Sequence, residues 1–217
     1  MLTDSMGMCA FLVRGISRKN PGLAAMMQPL SLLEVEESTK RRGDLHLLKE
    51  SRRAVLMQQM AIDPSKMAVA MFTAEILERS MAEHQPNEPL FEFIWNVTQA
   101  IDVETNISFY PTFIIGRLIR FLGIHPPARP PEQSESYLDL LSGQWVRDPF
   151  GVQHAVEYDL GQLLCEACEM TSEQFRSLSI SREEHRKLLE AMVDYLRLHI
   201  SGQKEFKTLP VLREIFA

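Results

Sequence analysis

Along the first 61 residues apolar side chains come in short runs separated by turn-forming and charged clusters, without the three-and-four spacing of a helix. This stretch therefore predicts β structure. Met8 to Arg14 (MCAFLVR) is one strand, preceded by the turn cluster Asp4 to Gly7 and by Met1 to Thr3 as the tail of an earlier strand. Leu30 to Glu36 (LSLLEVE) is a second strand, after the loop RKNPGLAAMMQP, and Asp44 to Ser51 (DLHLLKES) a third, after the turn STKRRG. Three strands cannot close a barrel by themselves, so an open sheet leaning on helices is expected.

From Asp63 onward the period changes. Asp63 is an expected N-cap with Pro64 at the first helical position, and Met67, Ala70, Met71, Ala74, Leu77 and Met81 form an apolar stripe running to about His84. Gln85 to Pro89 breaks the pattern, and Leu90, Phe93, Ile94, Val97 and Ile101 repeat it on a second helix. Asn106 is the expected cap of a third helix, in the segment Phe109 to Pro127. There apolar residues from Phe113 to Leu122 occupy nearly every side, as suits a helix enclosed by others. Gly123 ends it in a left-handed conformation and Pro126 and Pro127 forbid its resumption, leaving Arg117 and Arg120 in need of water or a partner. Residues 125 to 158 form an irregular, proline-rich insert holding a small hairpin, Tyr137 to Leu141 and Gln144 to Val146. Helices resume at about Asp159 to Met170. Thr171 with Gln174 and Ser181 with Glu184 have capping-box spacing, Leu188 to His199 stripes a long helix, and Thr208 to Phe216 forms a short last one. The expected fold is α+β: an open sheet over residues 1 to 61, then a larger all-α domain over 62 to 217.

The net charge of −6 is unevenly spread. Residues 1 to 61 hold nine Lys and Arg against six Asp and Glu, leaving 14 against 23 for the remainder. A basic front on an acidic scaffold suggests an anionic partner. Its cations are Arg14, Arg18 and Lys19 after the first strand, Lys40, Arg41 and Arg42 in a turn, and Lys49, Arg52 and Arg53 at the end of the third strand. Such strand ends and loops can line a groove for phosphates, read without regard to base sequence, or else serve as solubilising charge. Phe11 is the only aromatic among them, so base stacking has little support.

Three cysteines and the absence of a basic, apolar leader pattern point to a reducing, cytoplasmic setting, and no segment has the apolar length of a membrane span. Cys165 and Cys168 have the spacing of half a zinc site. No second pair exists, and both fall on the buried side of an amphipathic helix, so packed thiols are expected and no metal or other cofactor. His46, His84, His125, His154, His185 and His199 are scattered without ligand spacing, and Glu34, Glu36, Glu37, Glu183 and Glu184 read as solvated faces. Glycine-rich phosphate loops, H-E-x-x-H and G-x-S-x-G are absent, so catalysis is not indicated.

The segments FLVRGISRKN, QPLSLLEVE, LLKESR, AEILERS, LFEFI, RLIRFLGIHP, YLDLLSG and FKTLPVLREIF, in that order, resemble the bacterial RecO family, most closely its Bacteroidetes branch, over nearly the whole chain. The resemblance implies a recombination mediator without turnover, an N-terminal OB-fold joined to a helical domain. It would bind and anneal single- and double-stranded DNA, work with RecR, contact the SSB tail and help load RecA. Phosphate binding would fall on Arg14, Arg18 and Lys19, with Arg117 or Arg120 at the rim of a groove for the SSB tail. Two departures follow. The chain is expected to begin inside the OB-fold, lacking its first strands, and residues 125 to 158 lack the four cysteines of the zinc element that many relatives carry. A different reading is a helical interaction module that docks repair partners without binding DNA itself.

Overall fold

A computed structural model describes residues 1–16, 21–38, 45–83, 85–127, 136–200 and 205–216. The chain divides into two compact units, Met1–Ile107 with Phe206–Ala217, and Ser108–Glu205. The α+β class is as expected: a partial OB-fold, which is an open sheet and not a barrel, with a helical domain.

The first unit opens with a hairpin of β1 (Leu2–Thr3) and β2 (Gly7–Met8). β3 (Phe11–Leu12) then runs parallel to β5 (His46–Arg53), whose other neighbour is antiparallel β4 (Leu33–Glu37), giving the order β3-β5-β4. The expected continuous strand from Met8 to Arg14 is broken because the chain changes partners. Cys9 bonds back to Met1 through both its amide and its carbonyl, whereas the Ala10 carbonyl accepts from the His46 amide. The expected loop between the first two strands contains α1 (Pro21–Met26), a helix of six residues opened by proline. β4 begins later than Leu30 because Leu30 has a φ of 56°, a left-handed conformation that no strand continues through.

α2 (Pro64–Ser80) starts as expected, the Asp63 carboxylate accepting from the Ser65 and Lys66 amides. It stops at Ser80 rather than near His84, because Met81 is extended and Met8 bridges Glu83. His84 lies outside the described residues. Its stripe also differs. Met71 is exposed, while Val69, Phe72, Thr73 and Ile76 are fully buried. The helix is apolar on several sides, and packing chose the larger Phe72 and Ile76. Phe72 meets Phe206 edge-on, just ahead of α8 (Leu209–Ile215), while Glu75 accepts hydrogen bonds from the Lys207 and Thr208 amides and the Thr208 hydroxyl. α3 (Glu88–Val103) is capped by Asn87 and buries Leu90, Ile94, Val97 and Ile101, as its spacing predicts.

The second unit is built on α4 (Tyr110–Phe121). Asn106 is not its cap: Phe109 stands at that position without a side-chain bond, and Pro111 lies in the first turn, where its missing N–H costs nothing. The C-terminus follows expectation. Gly123 has a φ of 69°, its amide bonds Arg120 O at 2.9 Å, and the Ile124 amide reaches Ile119 O at 3.2 Å, the Schellman arrangement. Around α4 pack α5 (Tyr158–Glu169) and α7 (Arg182–His199), with α6 (Ser172–Ser177) between them in sequence. A Cβ on Gly116 would lie 2.9 Å from Ala167 O and 3.1 Å from the Met192 methyl, so glycine lets α4 approach α5 closely. Both capping boxes form, at Thr171 with Gln174 and Ser181 with Glu184. The expected hairpin, β6 (Tyr137–Asp139) and β7 (Gln144–Val146), gains a third strand, β8 (Ala155–Glu157), on the other edge of β6. Three residues among prolines were too short a run to betray it.

Candidate nucleic-acid interface

Four of the nine expected cations of the front sheet are among the described residues: Arg14, Lys49, Arg52 and Arg53, all exposed. Arg18, Lys19, Lys40, Arg41 and Arg42 lie outside them. β5 extends to Arg53, so Arg52 and Arg53 lie within the strand rather than beyond it. The register explains their setting. Glu36 faces Glu50 and Glu37 faces Leu48, which leaves Lys49 opposite no residue. This bulge switches the alternation of β5, so that His46 and Leu48 before it share a face with Ser51 and Arg53 after it. Glu34 faces Arg52, and Leu33 faces Arg53. β3 runs parallel with Phe11 beside His46 and Leu12 beside Leu47, so the chain continuing to Arg14 advances in the direction in which β5 reaches Lys49. Lys49, Arg52 and Arg53 therefore lie along the C-terminal half of β5, Arg52 and Arg53 on opposite faces, while Arg14 follows the end of β3 by two residues.

Sequence reasoning missed the partners of two of them. Arg52 donates through Nε to Glu34 at 2.8 Å and through a terminal nitrogen to the same oxygen, and Lys49 donates to Glu36. This bond to Glu36 holds the Lys49 ammonium above its ordinary pKa. Glu34 and Glu36 are thus not merely solvated, since they sit across from cations. Both pairs are more than half exposed, where such contacts are weak and screened by salt, so a phosphate can compete for the cations.

His46 is buried at the start of β5. Its Nδ1 lies 2.8 Å from Glu37 Oε1 and its ring 5.2 Å from that of Phe11. A further feature without a sequence forecast holds the segment between β5 and α2 to α3. The buried Asp102 carboxylate accepts from the amides of Gln58 (3.1 Å), Gln59 (2.8 Å) and Met60 (2.7 Å), while the buried Lys66 ammonium donates to Asp102 O at 2.6 Å. The available signal was a charged residue beside the apolar stripe of each helix.

In the second unit Arg120 pairs with Glu169, and Arg117 lies over the Phe121 ring at 5.7 Å. Cys165 and Cys168 are buried as expected, and desolvation pushes their thiols up to about 11 and about 12, which keeps them protonated. Among the described residues no group of three or more His, Cys, Asp and Glu could hold a metal, and no helix is long and apolar enough to cross a membrane.

A partial OB-fold with a cation-bearing strand, joined to a helical domain, is an architecture of nucleic-acid-binding proteins. Residues 62–209 match the family described as Recombination protein O C terminal. Over 217 residues the chain is 30% identical to the DNA repair protein RecO of Flavobacterium johnsoniae, covering 99% of this chain and 90% of that protein. It is 30% identical to the RecO of Bacteroides fragilis over 221 residues, 100% of this chain and 90% of that one. The RecO of Azobacteroides pseudotrichonymphae is 25% identical with the same coverage. The chain belongs to the RecO family.

Proposed function

We propose that this protein acts in DNA repair as a recombination mediator: it binds single- and double-stranded DNA, anneals complementary strands and, with RecR and the SSB tail as partners, helps RecA to load. It works without catalytic turnover, in the cytoplasm at the nucleoid. Residues 1–61 form the DNA-binding portion and residues 62–217 the partner-binding portion. The phosphate track consists of Arg14, Lys49, Arg52 and Arg53, with Arg18, Lys19, Lys40, Arg41 and Arg42 adding to it. The observation that carries this reading is the exposure of Lys49, Arg52 and Arg53 along one half of β5, Arg53 on the face opposite Arg52, where guanidinium and ammonium groups can meet a backbone of regularly spaced charge. The names of the relatives support it. At the partner end, Arg117 and Arg120 are the proposed rim for an acidic tail. Arg120 would exchange Glu169 for the tail's carboxylates.

The experiment is a salt titration of single-stranded DNA binding by fluorescence anisotropy. Log K should fall with log salt at a slope of about −3 if four of the cations meet phosphates and about −6 if all nine do, and each of Arg14→Ala and Arg53→Ala lowers its magnitude by about 0.7. Absence of binding at low salt, or an unchanged slope, would contradict the reading.

One observation favours a second reading, a module that docks repair partners without DNA. Glu34, Glu36 and Glu50 accompany Lys49 and Arg52 on the β4 and β5 strands, so the local balance there is not cationic. Capture of SSB by a chain that fails to bind DNA would select this alternative.

A further inference from the structure

The first unit contains a cavity of about 1110 Å³, larger than the 300 to 1,000 Å³ common for small-molecule sites. Its apolar lining includes Met1, Met8, Met26, Met27, Phe91 and Trp95, the two aromatic rings lying 5.8 Å apart. Methionine side chains adapt to irregular apolar partners, a property suited to peptide surfaces. Leu33, Glu34 and Val35 of β4 border the cavity, and β4 is an outer strand with β5 as its one neighbour among the described residues. An extended segment entering here would find a strand edge to pair with and an apolar floor for alternate side chains. The charge of the lining is mostly negative. Asp4, Glu34, Glu78, Glu83 and Glu92 belong to it, against the Met1 ammonium, which donates to the Cys9 carbonyl, and Arg52, which pairs with Glu34 from outside the lining. Phosphates are repelled from such a surface, whereas a cationic chain is drawn to it.

We propose that this cavity docks an extended apolar peptide segment bearing lysine or arginine, supplied by a partner protein and added along β4. The site touches the cation track on β5 at Glu34, the partner of Arg52, and its occupancy does not depend on DNA binding.

The probe is a ten-residue peptide of alternating valine and lysine, compared with its valine–glutamate counterpart. In the Trp145→Phe protein Trp95 is the only tryptophan left, so its emission reports occupancy of the cavity. The lysine peptide should bind at least about tenfold more tightly than the glutamate peptide, shift Trp95 emission to the blue, and lose its advantage as salt rises. Glu78, Glu83 and Glu92 are exposed, so E78K/E83K/E92K should fold like the parent, as checked by circular dichroism, and should reverse the preference. Equal binding of the two peptides, binding of neither, an unshifted Trp95, or an unreversed preference in the folded variant would overturn the proposal. So would a dimer formed without peptide and abolished by the triple substitution, because it would assign the cavity to a second copy. Single-stranded DNA titrated against the same variant keeps the two claims apart: DNA binding persists or strengthens there whether or not the peptide binds.

Discussion

In the second unit the helix α4 is enclosed, with Ile114, Ile115, Leu118 and Ile119 each 1% exposed or less, and its close neighbours meet it over Gly116. In the first unit the sheet has three strands, of which the edge strand β4 has one neighbour among the described residues and borders a large cavity, and the segment after β5 is held to α3 by the buried Asp102 carboxylate. The enclosed unit derives its stability from apolar packing spread over many side chains, so single losses are graded. The open unit packs Val69, Phe72, Ile76, Leu90 and Ile101 as fully between its helices, but its sheet leaves main chain and cations accessible to partners. A binding surface and a well-filled core place opposite demands on a chain, and this protein meets them in different elements.

The first of the two largest expected effects breaks the polar tie. Asp102→Ala leaves the amides of Gln58, Gln59 and Met60 without their carboxylate partner, while the Asp102 carbonyl that accepts from Lys66 remains, and should destabilise the first unit by about 3 kcal/mol. Urea unfolding followed by Trp95 fluorescence in the Trp145→Phe background reads it. A loss below about 1 kcal/mol would mean that the amides find water easily and that the tie is unimportant. Next comes Leu118→Ala in the enclosed helix, with an expected loss of about 3 kcal/mol from lost transfer free energy and the remaining cavity, read in the same denaturant with Trp145 as reporter.

A smaller effect separates the units by pH. For Glu75, burial pushes the carboxyl pKa up, but the Thr208 hydroxyl, the Lys207 and Thr208 amides and Arg79 outweigh it and hold the pKa below the ordinary 4.5. The folded state therefore binds its proton less readily than the unfolded chain. This contribution is fully present above pH 4.5 and is lost as pH falls through the lowered value. Burial lowers the His185 pKa below 6.5, so the second unit loses stability as pH falls from 6.5 toward that lowered value and no further below it. Thermal melts should show the first decline absent in Glu75→Gln and the second absent in His185→Gln. Coincident profiles for parent and variants would refute these assignments.

Features governed by neighbours in sequence were legible. The Schellman end at Gly123, both capping boxes, the Asp63 cap and the enclosed character of α4 follow from a few adjacent residues. So did burial of Cys165 and Cys168. Features set by distant partners were not. Two apolar sides competed on α2, and tertiary packing decided for Phe72 and Ile76. The six residues of α1 carry too little periodicity to separate helix from loop. The bulge at Lys49 and the glutamates facing Arg52 and Lys49 depend on strand register, which no local pattern encodes. For the same reason the cations of the front sheet could be named from sequence, whereas their partners across the sheet could not.

The measurement that bears most directly on the account is the affinity for a single-stranded oligonucleotide at one fixed low salt, taken for two double variants. If the cations of β5 meet phosphates and are held back by the facing carboxylates, Glu34→Gln with Glu36→Gln raises the affinity by several-fold, while Arg14→Ala with Arg53→Ala lowers it by about tenfold or more. Affinities that stay together, or that move in the same direction in both variants, would contradict it.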